Sequence, residues 1–187
     1  MSKHLYIAHG YNANSQKNWF DWLKNQFPEV DGHLIDFPNS TEPKLEEWSQ
    51  TLKENIDLSS GENIIVAHSL GVITVLDMIS NVTSDINIKG LVLVAGFDEK
   101  IIKFPELDGF IESTNVDYEK IKDVVPYRVV IGATKDPTVS YPLSKSLAER
   151  LDAKVFKKHH DGHFCEEDGY DSFPEVKYYV EEILNKE

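Results

Sequence analysis

Three residues of this 187-residue chain stand in an order that can support nucleophilic chemistry: Ser69, Asp136 and His163. A serine hydroxyl is a weak nucleophile until a base takes its proton, and an imidazole does so best when a carboxylate fixes its tautomer and stabilises the imidazolium. Ser69 sits in Val66-Ala67-His68-Ser69-Leu70-Gly71-Val72, where an apolar run from Asn63 to Ala67 stops at the serine and resumes with helical spacing. That texture predicts a strand, a sharp turn and a helix. The small residues Ala67 and Gly71, two positions to either side, leave room for backbone to approach a serine held at a strained corner. The pattern is that of a nucleophile elbow, with Ala67 where the first glycine is usual. The residue after such a serine offers a free N–H to an oxyanion, so Leu70 is the first expected donor. The second is expected from Tyr11 or Asn12, in the turn His9-Gly10-Tyr11-Asn12.

Asp136 closes the apolar run Arg128–Ala133, and Pro137 biases it toward an extended or turn backbone. Asp98, on an earlier loop, is the rival acid. His163 has rivals in His159 and His160; its neighbour Gly162 supplies the flexibility that a base on a loop can use. Three histidines close to Cys165 also invite a metal reading, but no second ligand group stands at recognisable spacing, so no metal and no cofactor are expected. Cys165 follows His163 by two residues and lies on no elbow, which argues against it as nucleophile. Trp19, Phe20 and Trp22 recur at helical spacing and read as core and groove wall. His9, Gly10, Trp19 and Phe97 are the candidates for contact with a substrate. The acidic run Glu166-Glu167-Asp168 reads as a solvated face.

These residues need elements to position them. Short β-rich runs occur at Leu5–Ala8, His33–Phe37, Asn63–Ala67, Gly90–Ala95, Tyr127–Gly132 and Lys154–Lys158. Helical patterns fall between and after them, at about Gln16–Gln26, Pro43–Ile56, Leu70–Ile79, Val116–Val124, Val139–Leu151 and Pro174–Leu184, with Pro43 and Pro174 placed as first-turn prolines. Strand and helix alternating this way predict an α/β fold, a three-layer α/β/α sandwich around about six mostly parallel strands. Right-handed crossovers then bring the loops after the strands to one edge, where ligands bind in such sheets. Ser69, Asp136 and His163 each lie just past a strand.

Neither repeats nor a linker divide residues 1–187, so one domain is expected. A chain of this length buries roughly 70% of the surface its unfolded form exposes, enough for a core without staples. Its single cysteine makes an internal disulfide framework impossible and points to a reducing, cytoplasmic setting. The first residues read as a strand running into His9-Gly10 rather than as a cleavable leader. No apolar run approaches the ~20 residues of a membrane span. With 32 acidic against 19 basic residues the formal charge is −13, which repels phosphate backbones and anionic headgroups. Nucleic acid and membrane are therefore not expected partners.

The motifs His9-Gly10-Tyr11 followed by Trp19, His68-Ser69-Leu70-Gly71, Asp117-Tyr118-Glu119-Lys120-Ile121-Lys122 before Pro126-Tyr127, Lys135-Asp136-Pro137 and Gly162-His163-Phe164 span nearly the whole chain. Together they resemble the small serine hydrolases related to retinoblastoma-binding protein nine. The resemblance implies one α/β-hydrolase core without a cap domain, a triad on Ser69, Asp136 and His163, and no cofactor. It implies esterase-like or peptidase-like action on small esters, thioesters or amides, without naming the substrate, and a protein partner has also been proposed for such proteins. Two residues depart from the pattern: Ala67 replaces a glycine, and Tyr118 stands where relatives often carry tryptophan. The competing expectation is a protein-binding module that keeps the scaffold with little or no catalysis. It leaves the joint presence of serine, aspartate and histidine without a chemical reason.

Overall fold

Six short runs, the central ones rich in Val, Ile and Leu, pair side by side into a single sheet in the computed structural model, which describes residues 1–187. The strands are β1 (Lys3–Ala8), β2 (Asp31–Ile35), β3 (Glu62–His68), β4 (Ile88–Val94), β5 (Tyr127–Ala133) and β6 (Lys154–Lys158). Their order across the sheet is β2-β1-β3-β4-β5-β6, and every neighbouring pair is parallel. The central strands are buried on both faces, which explains why β3 and β4 read as continuous apolar runs rather than as alternation.

The helices are α1 (Phe20–Asn25), α2 (Leu45–Asn55), α3 (Leu70–Asn81), α4 (Asp108–Glu112), α5 (Tyr118–Val124), α6 (Tyr141–Arg150) and α7 (Pro174–Leu184). Two buried clusters fill the spaces between the layers. On one face α2, α3, α5 and α6 pack through Trp48, Leu52, Val72, Leu76, Ile121 and Leu147 against Tyr6, Ile65 and Leu93. On the other, α1 and α7 pack through Phe20, Leu23, Val176 and Val180 against Ile7, Val66 and Val92. The chain moves outward from β1 to β2, crosses back over β1 to β3, and then runs the other way to β6. The loops after β1 and β3 consequently diverge, and the crevice between them is where such sheets bind ligands.

Several boundaries differ from the sequence reading for local reasons. The helix expected over Gln16–Gln26 is only Phe20–Asn25, because Asn18 adopts a left-handed backbone (φ 56°) that a right-handed helix cannot continue through. Pro43 lies outside α2, which starts at Leu45 after the extended residue Lys44, whereas Pro174 is the first residue of α7. The strand expected at His33–Phe37 is shifted to Asp31–Ile35, where its register follows β1. The stretch from Phe97 to Val125 contributes only the short helices α4 and α5 and a single 3₁₀ turn at Pro105–Leu107.

Candidate active site

Ser69 ends β3 and precedes α3 with φ 55° and ψ −122°, a conformation that costs a non-glycine residue of order 1–3 kcal/mol. The surroundings enforce it. The Ser69 N–H donates to the Val94 carbonyl at 2.9 Å, and a Cβ on Gly71 would sit 2.3 Å from the carbonyl oxygen of His9. The start of α3 therefore presses onto the loop after β1, and only glycine fits at position 71. Gly10 meets the elbow from the other side, since a Cβ there would lie 2.9 Å from the Ser69 Cβ. Ala67 is accommodated without distortion: its methyl is buried in the α3-side core beside Ala8, its partner in register.

The structure brings Ser69, His163 and Asp136 into one chain of contacts. His163 Nε2 lies 2.9 Å from Ser69 Oγ, and His163 Nδ1 lies 2.7 Å from Asp136 Oδ2. An ionised carboxylate only accepts, so Nδ1–H donates to Asp136 and the Nε2 lone pair faces the serine hydroxyl. The other carboxylate oxygen, Oδ1, accepts from the N–H groups of Thr138 at 2.8 Å and Val139 at 2.9 Å. The Asp136 side chain is 1% exposed and held by three donors, while His163 at 14% reaches toward solvent.

Leu70 is the first residue of α3, so its N–H has no acceptor one turn earlier. The two residues expected to offer a second donor, Tyr11 and Asn12, differ in their partners. The Asn12 N–H is consumed by the Ser40 carbonyl at 2.9 Å, whereas the Tyr11 N–H donates to no protein acceptor. A cleft of about 220 Å³ opens here, bordered by Gly10, Tyr11, Lys17, Asn18, Ser69 and His163. A larger hollow of about 460 Å³ lies elsewhere, between α2 and the end of α3.

Three residues expected to touch substrate do not present side chains to it. His9, Trp19 and Phe97 are fully buried and support the site from behind. His9 accepts the Phe37 N–H at Nε2 (2.9 Å) and donates from Nδ1 to the Gly10 carbonyl (2.9 Å), tying the loop after β1 to the end of β2. Burial holds its pKa below the ordinary value. Trp19 donates from Nε1 to the Phe164 carbonyl at 3.0 Å, next to His163. Phe97 belongs to the α3-side core.

The rival residues have other partners or stand apart. Asp98 is clamped by Arg150, whose Nε donates at 2.6 Å, and by the Tyr118 hydroxyl. The Cys165 thiol is pushed up to about 12 by burial first and then by Asp168 and Glu167. Neither His159 nor His160 touches Ser69; the His160 ring packs on Phe164 and Tyr170 instead.

Sequence reasoning missed two supports. Asp168 is not a solvated charge: its Oδ2 accepts the His163 N–H at 2.8 Å and that of Cys165 at 3.3 Å. Glu166 and Asn18 likewise exchange bonds through Glu166 Oε2 (3.2 Å) and Asn18 Oδ1 (2.9 Å). Gly162 is needed for closeness rather than flexibility, since a Cβ would meet the Asp168 carboxylate at 2.5 Å. The second support is His68, whose Nε2–H donates to the His163 carbonyl at 2.8 Å. Its pKa falls to about 3, first through burial and then through the nearby His163. The adjacent position to Ser69 was the available signal, but sequence alone does not show which way a buried histidine turns.

Comparison with known proteins agrees with this architecture. The chain is 33% identical over 189 residues to YdeN of Bacillus subtilis, a protein named as a hydrolase, with 100% of this chain and 99% of that one covered. The crystal structure of the ydeN gene product superposes with a TM-score of 0.90, covering 99% of this chain and 100% of that one at 32% identity. Serine hydrolase RBBP9 of Rattus norvegicus is 24% identical over 149 residues, 78% of this chain and 77% of the rat protein. Residues 5–182 match the serine hydrolase family, and the chain belongs to that family, with an α/β-hydrolase fold.

Proposed function

We propose that this hydrolase cleaves small esters, thioesters or amides through an acyl-enzyme formed on Ser69. The observation that carries the reading is the unbroken run Ser69 Oγ, His163 Nε2, His163 Nδ1, Asp136 Oδ2, with contacts of 2.9 and 2.7 Å. As Oγ attacks the substrate carbonyl, His163 takes the hydroxyl proton at Nε2, and Asp136 holds the imidazolium by accepting from Nδ1. Negative charge on the carbonyl oxygen is received by the N–H groups of Leu70 and Tyr11, which folding has already oriented. His163 then returns its proton to the leaving alcohol, thiol or amine. Water, deprotonated by the same nitrogen, releases the acid.

The polar rim of the cleft, with Lys17, Asn18 and Glu167, and its volume of about 220 Å³ favour compact substrates. That volume lies below the range of ~300–1,000 Å³ usual for drug-sized ligands. The test is labelling with a tagged fluorophosphonate followed by peptide mapping. Modification is expected on Ser69 alone, and Ser69→Ala should abolish both labelling and turnover, by about a million-fold as in a comparable triad. Labelling of another serine, or of Cys165, would refute the assignment.

A further inference from the structure

Far from the elbow, the register of the sheet edge assembles a set of donors that sequence spacing hides. In the parallel pair of β1 with β2, His4 stands opposite Asp31 and Tyr6 opposite His33. Residues two apart on a strand share a face, so His4, Asp31 and His33 converge. His4 Nδ1 lies 3.4 Å from Asp31 Oδ2, His33 Nε2 lies 3.2 Å from the same oxygen, and the two nitrogens are 3.5 Å apart. The same three atoms thus close a triangle.

We propose that His4, Asp31 and His33 bind one divalent ion of the zinc type. A tetrahedral ion with nitrogen and oxygen ligands at about 2.0–2.1 Å holds them about 3.4 Å from one another, the size of the observed triangle. Two imidazoles and a carboxylate are the donor set of zinc and its first-row neighbours rather than of calcium or magnesium, which take oxygen. The rings are already oriented. His4 Nε2 contacts Ser2 Oγ at 3.2 Å, the outer hydrogen bond that fixes which nitrogen of a ligating histidine is free. The His33 ring stacks on Tyr6 with centroids 4.7 Å apart. Asp31 is 63% exposed and His33 34%, so an ion can enter and water can take the fourth position. The site lies toward the beginnings of β1 and β2, at the opposite end of the strands from Ser69. β2 is an edge strand hydrogen-bonded only to β1, and the ion would clasp the two together.

The experiment is zinc titration of the tag-free 187-residue chain by calorimetry, with thermal melts in the presence and absence of zinc, on wild type, His33→Ala and Asp31→Asn. One zinc per chain in the micromolar range is expected, with a raised melting temperature. Each variant should lose about tenfold or more in affinity and lose the melting shift. Asp31 is largely exposed, so Asp31→Asn keeps the fold testable, and fluorophosphonate labelling of Ser69 reports separately that the catalytic edge is intact in every variant. Absence of zinc binding in the wild type, or binding that both variants retain unchanged, overturns the proposal.

Discussion

At the scale of single residues, the expected acid Asp136 and its rival Asp98 are separated by their partners. Asp136 Oδ2 receives the His163 Nδ1–H, and Asp98 is committed to Arg150 and Tyr118. Asp136→Asn should lower turnover on the order of ten-thousand-fold, as the equivalent change did in another triad, because an amide no longer enforces the tautomer with its lone pair toward the serine. Asp98→Asn should weaken the clamp and lower stability while leaving turnover within about tenfold. Steady-state kinetics beside urea unfolding of both variants checks this, and the reverse ranking would identify Asp98 as the acid. Cys165 gives a third residue-scale expectation. With its thiol pushed up to about 12, almost no thiolate exists at pH 8, and the native protein should resist iodoacetamide under conditions that alkylate an unfolded control fully. Mass spectrometry reads the difference.

At the scale of elements, the strand-to-helix corner was legible and the loop after β6 was not. The corner announces itself locally: an apolar run, a serine and a glycine within five residues. The loop from His159 to Gly169 is held by partners remote in sequence, namely His68, Asn18 and Trp19, and its short-range bonds come from an acidic run that composition alone reads as solvated. The same limit hid the His4, Asp31 and His33 cluster: Asp31 and His33 are two apart on β2, but His4 is brought to them only by strand register. His68 makes the coupling of β3 to this loop measurable. Its ring centroid lies 4.8 Å from that of His163, and its Nδ1 is buried without a partner, so a proton added there would meet neither acceptor nor solvent. The folded pKa of about 3 lies below the ordinary 6.5, so between these values the unfolded chain binds the proton that the folded chain refuses. Stability from this group is complete above pH 6.5 and is lost as pH falls, at about 1.4 kcal/mol per pH unit. His68→Gln keeps a donor for the His163 carbonyl without the titration. Its unfolding free energy should therefore decline less steeply than that of wild type from pH 6 to pH 5, by about that amount. Parallel curves would show that His68 titrates normally.

At the scale of the whole molecule, the sheet places Ser69, Asp136 and His163 on one edge and leaves little above them. The alternation of strands and helices made this layout readable, because parallel strands joined by helices admit few topologies. The absence of any long insertion between Gly71 and Asp136 likewise argues against a lid over the site. The stretch from Phe97 to Val125 supplies only short helices; Phe97, Phe110 and Ile111 turn into the α3-side core, and Phe104 packs edge-on against Tyr11. These apolar side chains are spent on the core and on the cleft's margin, and the cleft beside Ser69 remains about 220 Å³, with Lys17, Asn18 and Glu167 among its lining. Each further methylene of an acyl chain could add roughly 0.8 kcal/mol to binding only where it is taken out of water. Here the first few carbons are covered and the rest would stay in solvent. Across nitrophenyl esters from acetate to palmitate, kcat/KM should therefore be highest at two to four carbons and should not rise beyond them. The hollow of about 460 Å³ between α2 and α3 does not change this expectation, because it opens at the ends of α2 and α3 that are remote from the elbow. A specificity constant climbing steadily from four to sixteen carbons would require an apolar channel reaching Ser69, and a cleft of this size and lining provides none.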